Sequence, residues 1–151
     1  MRSTVIYGAD FGHLKRNFAT WLIGELRAER SVRVVDDQWG TPTISENIAE
    51  FVEAAIERRL DGAVHAAVGE CMSRLEFARR IAAHFNLEAT LIHPAKTADL
   101  HQPARRPRRP CLSMRRSQEM LGVKAWTVPQ SLALMERQMA LEDRSVLTPW
   151  W

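Results

Sequence analysis

The sequence predicts an α/β fold of short, mostly parallel strands with flanking helices. Three observations predict it: brief β-branched or apolar runs closed by glycine or proline, amphipathic stretches at helical spacing, and the alternation of the two along 151 residues. That length suits one domain, since domains most often run to about 100–150 residues. With 46% hydrophobic and 26% charged residues, the chain can build a core and falls outside the disordered class.

The elements follow in order. Ser3 to Tyr7 is a β-branched run ending at Gly8, as a buried strand entering a loop does. Asn17 to Arg30 carries Phe18, Trp21, Leu22 and Leu26 at helical spacing and predicts an amphipathic helix. Val32 to Val35 predicts a second strand. After the turn at Trp39-Gly40, Ser45 is a suitable N-cap for a helix to about Leu60, which Asp61-Gly62 ends. Ala63 to Val68, closed by Gly69, predicts a third strand. Ser73 with Glu76 three residues on forms a capping-box pattern ahead of the stripe Leu75, Phe77, Ala78, Ile81, Ala82 and Phe85. Ala89 to His93 predicts a fourth strand, stopped by Pro94, and the proline- and arginine-rich stretch to Pro110 predicts an ordered loop. Ser113 to Leu121 predicts a short helix ending at Gly122, and Pro129 opens a last helix over Gln130 to about Leu141. The tail ending in Trp150-Trp151 carries no assignment beyond a hydrophobic patch seeking cover.

Composition narrows the function classes. No apolar run approaches the roughly 18 residues that span a bilayer, and the N-terminus lacks a signal-peptide pattern, so a cytoplasmic location without membrane contact is expected. Cys71 and Cys111 lie far apart in no C-x-x-C pattern and read as ordinary packing or surface thiols of a reducing compartment. His13, His65, His84, His93 and His101 make no ligand spacing, so no metal site is expected. Net charge is +3, yet Arg105, Arg106, Arg108, Arg109, Arg115 and Arg116 crowd one stretch, which either binds an anion or stays solvated. No aromatic platform is interleaved with those arginines, which argues against nucleic acid.

Four motifs then occur in a fixed order. They are Arg2-Ser3-Thr4-Val5-Ile6-Tyr7-Gly8 with Asn17-Phe18, and Val34-Val35-Asp36-Asp37-Gln38-Trp39-Gly40-Thr41-Pro42-Thr43. The third is Gly69 to Ala78, containing Ser73, Glu76, Phe77 and Ala78; the fourth is Pro103-Ala104-Arg105-Arg106-Pro107 with Leu112 and Leu121-Gly122. Together they resemble the C-terminal, substrate-binding half of the dTDP-4-dehydrorhamnose reductase family, of the extended short-chain dehydrogenase class.

The resemblance implies the C-terminal portion of an incomplete Rossmann-type fold, with the cofactor-binding half expected to be absent from this chain. It implies that Thr4, Val5 and Tyr7 border the nicotinamide and sugar, although many relatives carry Trp at the position of Val5. It implies substrate contacts from Asn17, Gln38, Thr43, Arg105 and Arg106. Other readings of the same residues stay open. Asn17 is also a favoured helix N-cap, and Gln38, Thr41 and Thr43 equally suit a turn rigidified by Pro42. The two arginines suit a pyrophosphate, because guanidinium forks bind phosphate oxygens bidentately, and Arg106 matches the motif more closely. Arg108 and Arg109 match nothing and read as solvated.

Gly8 and Gly12 follow a strand with G-x-x-x-G spacing, which is not the dinucleotide fingerprint. Tyr7 is the one tyrosine, and Phe11 stands where a Lys partner four residues on would lower its pKa. No catalytic residue is therefore expected here, and NADPH, the cofactor of the complete family enzyme, is not expected to bind this chain alone. Two functions follow: the substrate-binding portion of a nucleotide-sugar reductase that pairs with a Rossmann partner or with itself, or a non-catalytic nucleotide-sugar-binding or regulatory protein.

Overall fold

The computed structural model describes residues 1–9, 16–100, 104 and 106–145. The expectations for Arg105, for Phe11, Gly12, His13 and His101, and for the Trp150-Trp151 tail lie outside these residues.

The described chain runs β1 (Ile6–Tyr7), α1 (Phe18–Arg27), β2 (Val32–Val35), β3 (Trp39–Gly40), β4 (Thr43–Ile44), α2 (Ser45–Glu57), β5 (Met72–Ser73), α3 (Arg74–His84), β6 (Ile92–Ala95), α4 (Arg115–Leu121) and α5 (Val128–Ser145). Strands β1 and β4 pair in parallel, as do β2 and β6, while β3 and β5 pair antiparallel. A parallel bridge joins Arg2 to His65. The expected α/β class with mostly parallel pairing is what forms.

Several boundaries differ, each for a visible reason. The predicted strand over Ala63–Val68 is reduced to the His65 bridge, because side chains rather than a ladder take its amides: His65 N–H donates to Ser117 Oγ at 3.0 Å and Val68 N–H to Thr43 Oγ1 at 3.0 Å. Its residues Ala66, Ala67 and Val68 are nonetheless buried. Pairing of Ile44 with Tyr7 runs β4 straight into α2, so Ile44 takes the N-cap position, and the Ser45 hydroxyl meets Glu46 Oε2 at 3.1 Å instead of capping. That helix ends at Glu57, before the expected Leu60, and Arg59 (φ 47°) turns the chain away ahead of Gly62.

Strand β6 starts later than predicted, after a 3₁₀ turn at Ala89–Leu91, and runs through Pro94 to Ala95. Among the described residues it pairs with β2 alone, and a strand paired on one side tolerates the missing N–H. Ser73 caps α3 by accepting from Glu76 N–H at 3.0 Å, but the Glu76 carboxylate reaches Arg80 at 2.7 Å, so the box is half formed. Gly122 ends α4 in the left-handed region (φ 69°), donating to Gln118 O at 2.8 Å, as a C-terminal glycine does. Thr127 and Gln130 exchange hydrogen bonds across the start of α5, which begins two residues before the expected Gln130.

Burial of the apolar stripes holds these pieces together. Leu22, Ile23 and Leu26 of α1, Val32 and Val34 of β2, Phe77, Ala78 and Ile81 of α3, and Leu132 and Met135 of α5 form one core. Phe51 of α2, Val64, Ala66, Ala67, Met114 and Leu121 form a second. Buried Asn47 links the two regions: Nδ2 donates to Glu50 at 2.8 Å and to Lys124 O at 3.1 Å, while Oδ1 accepts from Trp126 N–H at 3.0 Å.

The cysteines overturn an expectation. Cys71 and Cys111 form a disulfide, their Cα atoms 5.6 Å apart, and are not thiols. The proline-rich loop folds back beside β5, with Trp39 N–H donating to Arg108 O at 2.8 Å, and closes a separation of 40 residues that the sequence does not reveal.

Candidate functional site

A cleft of about 730 Å³ opens where β1, the starts of α1 and α3, and the loop around Arg106 meet. Its walls include Thr4, Val5 and Asn17, then Gln38, Trp39 and Pro42, then Ser73, Arg74 and Phe77, and finally Arg106 and Pro107. Each of the four motifs thus contributes to one cavity.

The residues expected at a site are placed unequally. Val5, Gln38 and Arg106 line the cleft. Gln38 is oriented by Nε2 donating to Thr97 Oγ1 at 3.1 Å, and that hydroxyl donates to Asp37 at 2.7 Å. The Thr97 hydroxyl and amide hold the Asp37 carboxyl below the usual carboxylate range.

Thr4 lines the cleft but its hydroxyl bonds the Thr41 carbonyl and hydroxyl, each at 2.9 Å. Asn17 lines it too, as the N-cap of α1. Its Oδ1 accepts from Ala19 and Thr20 N–H at 3.0 and 3.2 Å, and its Nδ2 donates to Gly8 O at 2.8 Å. Thr43 does not reach the cleft. It is buried, donating to Thr41 O at 2.8 Å and accepting from Val68 N–H, which makes it a strut between β4 and the Val68 segment. Tyr7 does not reach it either, being packed against Phe77 with ring centroids 5.0 Å apart.

Burial pushes the Tyr7 hydroxyl up to about 12, and the charge of Glu46 adds to the rise. Ser131 offsets this in part, but its own proton goes to Thr127 O at 3.0 Å, and Tyr7 Oη meets no hydrogen-bond partner among the described residues.

Sequence reasoning missed four residues here. Arg74 holds its guanidinium 4.7 Å from the centroid of the Phe18 ring, and its pKa is lowered first by burial and then by the Arg106 charge. Phe18, read as a core position, is therefore a wall of the cleft. Arg109, read as solvated, sits over the Trp39 ring at 4.9 Å. Ser3 lines the cleft with a buried hydroxyl that has no partner among the described residues. The signal that could have found Arg74 is a lone basic residue at the first helical position inside a motif.

The sequence profile of the RmlD substrate binding domain matches residues 1–140. The chain belongs to that family. It is 31% identical over 138 residues to the probable low-salt glycan biosynthesis reductase Agl14 of Haloferax volcanii, covering 90% of this chain and 46% of that protein. The fold is similar to that of a dTDP-4-dehydrorhamnose reductase of Clostridium acetobutylicum, with TM-score 0.79 and 23% identity over 91% of this chain and 47% of that one. It is also similar to a Bacillus anthracis dTDP-4-dehydrorhamnose reductase in complex with NADP, with TM-score 0.74 and 24% identity over 88% and 46% of the two chains. The RmlD-type chain spans a little under half the length of these relatives. Its α/β arrangement is that of their C-terminal portion.

The start of α1 is not a cradle for a dinucleotide pyrophosphate. A pyrophosphate cradle needs free amides at a helix N-terminus, but Asn17 takes those of Ala19 and Thr20 at the start of α1. Tyr7 is turned into the core. Among the described residues no group of three His, Cys, Asp or Glu side chains could hold a metal ion, and no helix is long and apolar enough to cross a membrane.

Proposed function

We propose that this chain is the substrate-side portion of a nucleotide-sugar reductase, binding a dTDP-4-keto-6-deoxy sugar for NADPH-dependent reduction in dTDP-rhamnose-type biosynthesis. The observation that carries the reading is the convergence of all four family motifs on one cleft, with Gln38 and Arg106 on its walls. Two of the relatives named above are dTDP-4-dehydrorhamnose reductases and the third is a probable reductase of glycan biosynthesis, which supports the substrate class. The reducing equivalents and the proton donor would come from a cofactor-binding half, on the same polypeptide or another, because Tyr7 is buried away from the cleft. This chain alone is expected neither to bind NADPH nor to catalyse. A charged nucleotide sugar does not cross membranes unaided, which favours the cytoplasm as the place of action.

Titration calorimetry with a dTDP-sugar tests the proposal. Binding that NADPH neither replaces nor requires is expected, and absence of dTDP-sugar binding would overturn it. Reductase turnover on joining this chain to a cofactor-binding half separates the catalytic reading from a purely binding or regulatory one; binding without turnover in the joined protein favours the latter.

A further inference from the structure

Among the described residues three guanidinium groups border the cleft, and they are not equivalent. Arg33 is paired with Asp99 at 3.2 Å. Neither Arg74 nor Arg106 has a carboxylate partner among the described residues. Two unneutralised cations on one cavity repel each other, and removing a guanidinium from water is costly unless something compensates. The Phe18 ring at 4.7 Å compensates part of that cost for Arg74 through its π face.

The backbone beneath Arg74 is firmly held. Its amide donates to Gln38 O at 2.9 Å, and Ser73 before it pairs with Trp39 across β5 and β3. The side chain therefore leaves a fixed point and lies on a fixed ring, which limits the entropy lost when a ligand arrives. An anion between the two arginines would recover the repulsion the free protein carries. Desolvation and the Arg106 charge both weaken proton binding by Arg74, the direction expected for a cation awaiting a counter-charge.

We propose that Arg74 and Arg106 are the two arms of a diphosphate clamp, with Phe18 as the platform that aims Arg74. The inference rests on the nucleotide-sugar reading of the cleft and deepens it. Affinity is assigned to the diphosphate ahead of base or sugar, and Arg74 becomes a specificity-determining residue. Ligands should rank nucleoside diphosphate, then monophosphate, then nucleoside.

The test is calorimetry on the full chain with dTDP, dTMP, thymidine and inorganic pyrophosphate, at low and high salt, for the wild type and the R74Q, R74K and F18L variants. Each variant's thermal midpoint is compared with the wild type's. The expected result is about a tenfold or greater loss of dTDP affinity in R74Q, about one decade being the equivalent of 1.4 kcal/mol. A partial loss is expected in R74K, which keeps charge without the fork, a smaller loss for dTMP, and a shallower salt dependence in R74Q. Loss in F18L with a normal midpoint would support the platform role.

If R74Q binds dTDP as the wild type does, the clamp is overturned and the nucleotide reading stands. Pyrophosphate bound by the wild type and lost in R74Q, with no preference for dTDP over pyrophosphate, would keep the clamp and sink the nucleotide reading. Binding of neither ligand overturns both.

Discussion

At the residue scale, one side chain often has two uses written in the same atoms. Asn17 was legible as either an N-cap or a substrate contact, and the structure commits Oδ1 to two amides and Nδ2 to Gly8 O. Substituting it with Ala should cost about 1–2 kcal/mol of stability, at the upper part of the range for caps because the Gly8 bond is lost as well. Urea unfolding measures this. Tyr7 supplies a second prediction. Its folded pKa is raised from 10.0 to about 12, so the unfolded chain releases its proton first as pH rises. Stability is untouched by this group below about pH 10, falls by about 3 kcal/mol between pH 10 and 12, and levels off above. Because Tyr7 is the one tyrosine, phenolate absorbance reports it directly, and Y7F should remove this part of the alkaline loss while leaving neutral-pH stability unchanged or slightly raised. A phenolate titrating near 10 in the folded protein would contradict the burial argument. Arg74 was illegible for a different reason: its setting depends on the Phe18 ring beneath it and on Arg106 on the same cleft, neither of which is a neighbour in sequence.

At the element scale, legibility follows how local the forces are. Strand β2 was readable to its ends because Val32, Val34 and Val35 are β-branched and buried. The helices were readable from their stripes. The two-residue strands β3 and β5 were not, since a pairing of that length is fixed by its partner and not by its own composition. The Val64–Val68 stretch misled because burial gave it a strand's composition, while Ser117 and Thr43 supply acceptors that a ladder otherwise would. The disulfide belongs to this scale too. It fastens the start of β5, beside Arg74, to the loop that carries Arg106 and Arg109. Closing a loop with a separation of 40 residues should stabilise the fold by about 4 kcal/mol on the chain-entropy account. A C71S/C111S protein, or wild type treated with dithiothreitol, should unfold at correspondingly lower urea and bind dTDP-sugar more weakly, as the Arg106 loop loses its tether. Unchanged affinity after reduction would show that the loop is positioned without the bond, by contacts such as Trp39 N–H to Arg108 O.

At the scale of the whole molecule, what matters is the surface the fold leaves uncovered. Met1, Val52 and Ile56 are exposed, and with Ala55, Leu60, Val64 and the Arg59 side chain they surround a largely apolar hollow of about 300 Å³ beside α2. That hollow lies next to the Arg2–His65 bridge, the short parallel pairing that joins the start of the chain to the Val64–Val68 stretch. An exposed apolar cluster of this kind is a surface suited to cover. The relatives are about twice this chain's length, and under the function proposed above a cofactor-binding half is the candidate cover. If it docks there, polar substitutions at Val52 and Ile56 should separate two properties. A V52K/I56E protein should keep its thermal midpoint, since substitutions at exposed positions commonly stay within about 0.5 kcal/mol. Its dTDP-sugar affinity should also be kept, because neither residue borders the cleft. Reductase turnover on mixing with a cofactor-binding half should fall in proportion to the weakened association and recover at higher concentrations of that half. Turnover identical to wild type at limiting concentration would place the contact elsewhere on the molecule and leave the α2 hollow without a partner role.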